Sequence, residues 1–541
     1  MPHQGMSSAP SAVVIGAGVA GLATAGLLAR DGYDVTVLEQ QTEVGGRAGV
    51  LRDGGFRWDM GPSWWLMPEA FDHFYQLMGT TVDDELELVE LNAPAFRMFT
   101  QGYPALDVST GTQNICALFE QLEPGAGAVL ERYLSGMATD YRLSIEQFLY
   151  SNFTTLRGLA SPQILRRLLR LVQKLTRSID ADVAAKFHHN QLRQLLTYAA
   201  VFLSSAPKIT PAFYGIMNYT TLVEGVAYPM GGFGSFIESL HNLAVTAGAR
   251  IVTGATVEQI HHSTPGDDAK DTPMVSAVTY RDATGQHRQA TNIVASCADR
   301  QHTETQLVTH GRAARPKYWQ RRNPGLGCVL AYLGVEGPLP ELAHHNLFFS
   351  HNWEPDFTAV FPKSRQNRNA FSQSLYVAKA SATDPSVAPD GYENLFVLVP
   401  VPAMDDGIVG SLEDIEDPET TAIIDQALDL VASRSGVADL AQRIVVRHTV
   451  GPGDFQRRFN AWQGNALGLA HTLGQSAFLR GSNASAQVNG LYFAGSTTVP
   501  GVGLPMCLIS AENIIKRLRA DTSTGPLETP LQPMAANLNH R

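Results

Sequence analysis

Cysteine is scarce in this chain, and what there is does not pair. Only four occur in 541 residues, at Cys116, Cys297, Cys328 and Cys507. None forms a CxxC step, which excludes a zinc ribbon and a thioredoxin-type redox motif. A disulfide framework is not expected at this size, and a reducing compartment fits. Charge is also sparse: charged residues make up 17% of the chain, below the roughly 25% of an average domain. The balance is acidic, with a formal net charge of −11, which excludes general nucleic-acid binding. No run approaches the ~18 uncharged apolar residues of a membrane span. The first ten residues, MPHQGMSSAP, have no basic segment leading into an apolar one, so no secretory signal is expected. There is no internal repeat. The expectation is a soluble or membrane-surface protein rather than a spanning one.

What is present is enough apolar material for a large interior, at 44% hydrophobic residues. The length exceeds one core, so two or more domains are expected. The apolar run Ala12 to Ile15 ends at glycines, as a buried parallel strand does. Residues 19–31 read as a helix, and residues 34–38 as a second strand, completing a βαβ unit. Residues 115–230 read as mostly helical. Among them, residues 163–177 place Leu165, Leu168, Leu169, Val172 and Leu175 on one side of a helix. Arg166, Arg167, Arg170, Lys174 and Arg177 fall on the other. Residues 249–260, 275–280, 292–296, 325–335 and 395–401 read as strands, with a turn at Asp282 and Gly285. Residues 420–433 read as a helix, and residues 490–494 as a strand leading into a helix that ends near Arg519. Residues 521–541 are polar and carry proline, so a flexible tail is expected.

The junction of the first strand and helix carries Gly16-x-Gly18-x-x-Gly21. Gly16 permits a tight turn, Gly18 lets backbone approach a pyrophosphate, and Gly21 lets the helix close on the strand. Amides at the helix start then hold the phosphate. Glu39 ends the next strand, at the distance from the glycines where an acid binds ribose hydroxyls. Its charge opposes a 2′-phosphate. These residues indicate a dinucleotide without separating NAD from FAD.

Residues 44–61, VGGRAGVLRDGGFRWDMG, supply that distinction by resemblance to the flavin amine oxidase and carotenoid desaturase superfamily. In that superfamily a GGR follows the ribose-binding acid. Gly45, Gly46 and Arg47 match it, and the resemblance lays Arg47 along FAD. Near the C-terminus, residues 489–511 resemble the signature of bacterial and fungal type phytoene desaturases. Gly495, Thr497, Pro500, Gly501, Gly503 and Pro505 stand in its pattern, with Ser496 departing from the usual order. The helix expected to begin near Leu504 would offer its free amides to the flavin or a phosphate. Residues 228–234, 386–391, 398–402, 454–464 and 475–477 match further blocks, so the resemblance spans about residues 11–520. It puts Val257 where the family contacts adenine through backbone.

The resemblance implies an α/β fold, with a Rossmann-like FAD-binding domain of glutathione-reductase type and a discontinuous α+β substrate domain carrying a helical, membrane-facing region. The FAD-binding domain is expected over residues 11–80, 225–310 and 480–520, and the substrate domain over residues 81–224 and 311–479. The implied activity is FAD-dependent desaturation of a linear polyene such as phytoene, towards neurosporene or lycopene. Quinone or oxygen would be the electron acceptor, and the protein would be cytoplasmic and peripheral on the membrane. Alternatives are another oxidase of this superfamily, or a non-redox carotenoid isomerase or binding protein. Amine oxidases usually carry an acid where Ser496 stands, which favours the desaturase. No metal is expected. A catalytic base is not identified; His188 and His189 are candidates, with a helix-end structural role as the alternative. Cys507 is assigned no role.

Overall fold

A computed structural model describes residues 9–154, 162–263, 272–308, 316–362, 371–405 and 407–533. Its first layer is a parallel sheet ordered Leu491–Phe493, Ile293–Ser296, Ser11–Ile15, Asp34–Leu38 and Arg250–Val252. The side-chain period of two divides the central strand between two cores. Ala12 and Val14 face the helices Val19–Arg30, Phe233–Thr246 and Leu504–Leu518. Val13 and Ile15 face an antiparallel sheet of Thr256–His262, Val275–Asp282 and Gly285–Ala290. Both faces are covered, so this strand is apolar throughout.

The second large layer is a seven-stranded sheet. Its order is Ile444–Val450, Leu326–Glu336, Tyr392–Pro402, Leu375–Ala378, His345–Phe349, Phe96–Thr100 and Leu106–Val108. Val329, Ala331, Leu333 and Val335 pack against the helix Pro418–Ser435. Leu326, Cys328, Leu330 and Tyr332 point the other way, towards a layer built from the helices Thr112–Leu122, Ala126–Ser144 and Asn190–Thr197.

Two expectations from the sequence need correction. Residues 249–260 are two strands in different sheets, not one. Gly254 adopts φ +66°, its amide donates to Gln41 O at 2.9 Å, and Ala255 N donates to Glu39 O at 2.7 Å. Those bonds steer the chain out of the parallel sheet. Residues 521–533 are not loose. Leu531 is 1% exposed in the core beside Leu77, and its carbonyl accepts from Arg30 Nε at 3.2 Å. The buried Lys516 ammonium donates to Ser523 O at 2.8 Å and Gly525 O at 2.7 Å. Residues 534–541 lie outside the described residues. The strands Leu88–Leu91, Phe96–Thr100 and Leu106–Val108 have no counterpart in the sequence reading. No helix among the described residues is long and apolar enough to cross a membrane.

Candidate cofactor and substrate site

The strand Ser11–Ile15 delivers the chain to Gly16, which turns at φ +92°. The helix Val19–Arg30 follows, with Gly18 as its N-cap. Gly21 lies behind the turn, and a Cβ there would sit 1.8 Å from Gly16 O. That contact is impossible for any other residue without moving helix from strand. Gly45 and Gly46 pack against the same turn: Gly45 N donates to Ala17 O at 2.9 Å, and a Cβ on Gly46 would meet Gly18 Cα at 3.3 Å. Two glycine loops therefore meet backbone to backbone, leaving a shallow cradle.

Glu39 is 6% exposed beside this cradle. One carboxylate oxygen accepts Ala17 N at 2.6 Å and the other accepts Gln41 N at 2.8 Å. A carboxylate has about four lone-pair sites, so acceptor capacity remains for ribose hydroxyls. Arg47 bridges towards the C-terminal loop. Its Nη1 reaches Ser496 Oγ at 3.4 Å, and its Nη2 reaches Asn465 O at 3.3 Å, both long bonds. Its buried Nε has no partner among the described residues. Burial pushes its pKa down, partly offset by the charge of Asp299. A half-buried guanidinium with unused donors, its Nε fully enclosed, calls for an anion or acceptor group, and FAD's phosphates or flavin edge fit it.

Gly16, Gly18, Glu39, Gly46, Arg47, Val257, Gly495, Gly503 and Leu504 all line one cavity of 830 Å³; of the residues singled out in the sequence for cofactor binding, Gly21 alone stands behind its wall. Val257 sits at the start of Thr256–His262, next to the Glu39 end. Gly495 turns at φ +107°, and its amide is fixed by Ser510 Oγ at 2.8 Å. Gly503, at φ +121°, caps the helix Leu504–Leu518, whose first turn holds Pro505.

Two further residues escaped the sequence reading. Asp299 lines the cavity and caps the short helix Arg300–His302. Its carboxylate accepts Gln301 N at 2.8 Å and Trp462 N at 3.2 Å. Burial raises its pKa, with Arg47 opposing. The signal available was an Asp shortly after an apolar strand, an N-cap pattern. His471 had no local signal. Val502 N donates to its Nε2 at 3.2 Å, so the proton lies on Nδ1, which shares a 2.9 Å bond with Tyr214 Oη. Burial holds its pKa well below the ordinary histidine range. A Cβ on Gly501 would lie 2.3 Å from the His471 ring. The neutral ring thus pins the loop at residues 500–503. His188 and His189 lie elsewhere: their amides donate to Glu123 at 2.9 and 2.7 Å, and neither lines the cavity. Cys507 does line it, and burial pushes its thiol up to about 12.

Beyond the cradle the cavity continues between the seven-stranded sheet and the helical layer. Its walls there are apolar and aromatic, including Trp64, Leu171, Phe213, Phe349 and Leu398. An apolar chamber continuous with a dinucleotide cradle is suited to bringing a hydrophobic molecule against a bound cofactor.

The model of the flavin containing amine oxidoreductase family matches residues 19–514. The chain is 36% identical to a carotenoid 3,4-desaturase of Haloarcula japonica over 516 residues, covering 95% of this chain and 99% of that protein. It is 32% identical to a zeta-carotene-forming phytoene desaturase of Myxococcus xanthus, covering 97% and 98%. Among solved structures, a putrescine oxidase bound to putrescine matches with TM-score 0.59 at 14% identity, covering 94% of this chain and 99% of that one. An oxidoreductase from Methanosarcina mazei matches with TM-score 0.56 at 15% identity, covering 94% and 100%. The fold is that of the FAD-binding amine oxidoreductases. Within it, the chain belongs to the carotenoid desaturase family.

Proposed function

We propose that this protein is an FAD-dependent desaturase of a linear carotenoid polyene. The observation that carries the reading is the single cavity, polar and glycine-walled at Gly16–Glu39 and apolar from Trp64 to Phe349. A hydrocarbon has no charge to grip, so shape and apolar burial must position it. FAD, when bound, supplies the hydride acceptor for the reaction. Gly16, Gly18 and the start of the helix Val19–Arg30 would hold its pyrophosphate, and Glu39 its ribose. Val257 backbone would meet the adenine. Gly46, Arg47, Gly495, Gly503 and Leu504 would border the flavin. The apolar walls exclude water from the reacting carbons. His471 holds the loop that carries Gly501 and Gly503 rather than serving as a free base, because Val502 N occupies its lone pair. The segments 11–80, 225–310 and 480–520 form the cofactor domain in this reading, and residues 81–224 and 311–479 the substrate domain.

The same reading puts the protein peripherally on a membrane, where such a substrate dissolves. On the helix Pro162–Thr176, Leu169 is 87% exposed and Val172 49%, and Val172 also lines the cavity. The side chains of residues 162–168, including Leu165, Arg166, Arg167 and Leu168, lie outside the described residues. A helix with an outward apolar stripe and cations beside it suits an interface. Quinone or oxygen would take the electrons onward. The test is to incubate purified protein with phytoene in liposomes, FAD and a quinone or oxygen. Products lighter by two hydrogens per step, with growing visible bands, support desaturation. A product of unchanged mass means isomerisation, and no carotenoid turnover overturns the reading.

A further inference from the structure

Between the helices Ala126–Ser144 and Pro162–Thr176 lies a second cleft, of 440 Å³, separate from the substrate chamber. Its walls carry Arg132, Arg170, Lys174, Arg177 and Lys186. Among the described residues, two carboxylates pair with four of these five cations. Asp140 pairs with Lys174 and, at 3.4 Å, with Arg170. Asp182 pairs with Lys186 at 2.6 Å and with Arg177 at 3.7 Å. Arg132 makes no ion pair among the described residues. The cleft therefore holds three positive charges in excess, inside a chain whose formal net charge is −11. Such convergence makes the cleft a locally favourable place for an anion.

We propose that this cleft binds a phosphate group, and that the source is the headgroup of an anionic lipid. The chemistry follows from three guanidinium groups, whose planar forks match phosphate oxygens. The source follows from position. Leu169, on the same helix, projects outward at 87% exposure beside the cleft. A lipid seated with its phosphate among Arg132, Arg170 and Arg177 would lay its chains along Leu169 and Val172. Those residues lead to Leu171 and Leu175, which line the substrate chamber. The headgroup would thus fix the chamber's mouth at the bilayer surface. This rests on the membrane reading above, but adds a discrete, saturable site to it.

The probe is a short-chain phosphatidate below its micelle concentration, titrated against the full protein by calorimetry. One molecule should bind per chain. The double variant Arg132→Gln/Arg177→Gln should weaken binding about thirty-fold, from roughly 1 kcal/mol per cation. The exposed single variant Arg132→Glu should weaken it in the same direction. A remote pair, Arg281→Gln/Arg288→Gln, should change nothing. Equal binding by the cleft variants and the wild type, with unchanged melting temperatures, overturns the site. Inorganic phosphate binding as tightly as phosphatidate would overturn the lipid as source. The membrane reading is scored apart, by sedimentation with phosphatidylcholine vesicles lacking any anionic lipid: Leu169→Asp should reduce it, whereas the cleft variants should not. Wild-type protein that sediments with no vesicle overturns the membrane reading while the calorimetric result still decides the cleft.

Discussion

Replacing Gly21 by alanine tests the cradle at its narrowest point. The added methyl would stand 1.8 Å from Gly16 O and 2.9 Å from Gly16 C, where ordinary contact begins at 3.4 Å. The helix start and the turn must then move apart until that contact distance is restored. Both partners are backbone, so no rotamer change relieves the clash. The helix Val19–Arg30 is itself enclosed, with Ala20, Leu22 and Ala23 at 6% exposure or less. Overpacking of this kind costs about 1–3 kcal/mol, occasionally more. The larger effect should fall on the cofactor. A displacement of that size breaks the aim of the first-turn amides at a pyrophosphate, because a hydrogen bond weakens steeply with lengthening and misalignment. Two such bonds to a charged oxygen are worth about 3–6 kcal/mol together. We therefore expect Gly21→Ala to retain less than one-hundredth of the wild-type FAD affinity. The assay is flavin fluorescence quenching on the apoprotein, with circular dichroism to confirm folding. A folded Gly21→Ala protein that binds FAD within threefold of wild type would refute the placement of the pyrophosphate at this turn.

Other perturbations follow from individual burials. Arg47→Met should lower FAD affinity at least tenfold, and Arg47→Lys should not restore it, since a point charge lacks the planar fork; equal flavin content after purification would count against the assignment. His344 titrates near 3 because burial disfavours its charged form, against about 6.5 in an unfolded chain. Its folded pKa is depressed, so its contribution to stability is complete above pH 6.5 and is lost as pH falls towards 3. The loss at pH 5 is about 2 kcal/mol. His344→Asn should shrink the difference in urea-derived stability between pH 7.5 and pH 5 by that amount; an unchanged difference argues against it. Leu531→Ala should cost about 2–4 kcal/mol and lower the melting temperature, an outcome a loose tail would not give.

The cofactor cradle was legible because its information is local. Gly16, Gly18, Gly21 and Glu39 fall in one βαβ unit, and their spacing is set by the geometry of strand, turn and helix. Arg47 and Gly495 were legible as motif members, although 449 positions separate Arg47 from the Ser496 it touches. Asp299 and His471 were harder because each takes its meaning from distant backbone or side chains: Trp462 for one, Val502 and Tyr214 for the other. The strand Phe96–Thr100 hid for another reason. It lies between two strands, and Met98, Phe99 and Thr100 are buried in succession, so it shows no clean alternation. The tail misled because its composition is polar, yet a single leucine and a few backbone carbonyls suffice to dock it.

The helix Pro162–Thr176 shows what periodicity alone leaves open. Its sequence divides into leucines and cations, and a two-sided helix is the natural reading. At about 100° per residue, the described side chains instead divide into three. Leu171 and Leu175, one helical turn apart, lie nearly above one another and line the substrate chamber. Val172 stands about a sixth of a turn further round, at the chamber's edge, and Leu169 as far again beyond it, in the open. Gln173, Arg177, Arg170 and Lys174 complete the circle and face the basic cleft. The apolar stripe is thus wider than the core needs, and its surplus runs from the chamber to the exterior, interrupted by Thr176, which lies between Val172 and Leu169 and turns its hydroxyl back onto Val172 O at 2.8 Å. A helix that served only to pack would bury Leu169, since a leucine left 87% exposed contributes almost none of its burial energy. On the proposed membrane reading, that stripe would be a route for a hydrocarbon leaving a bilayer, since the one hydroxyl on it is already bonded to its own helix backbone, and the cations would stand to one side, placed to attract headgroups without obstructing the passage.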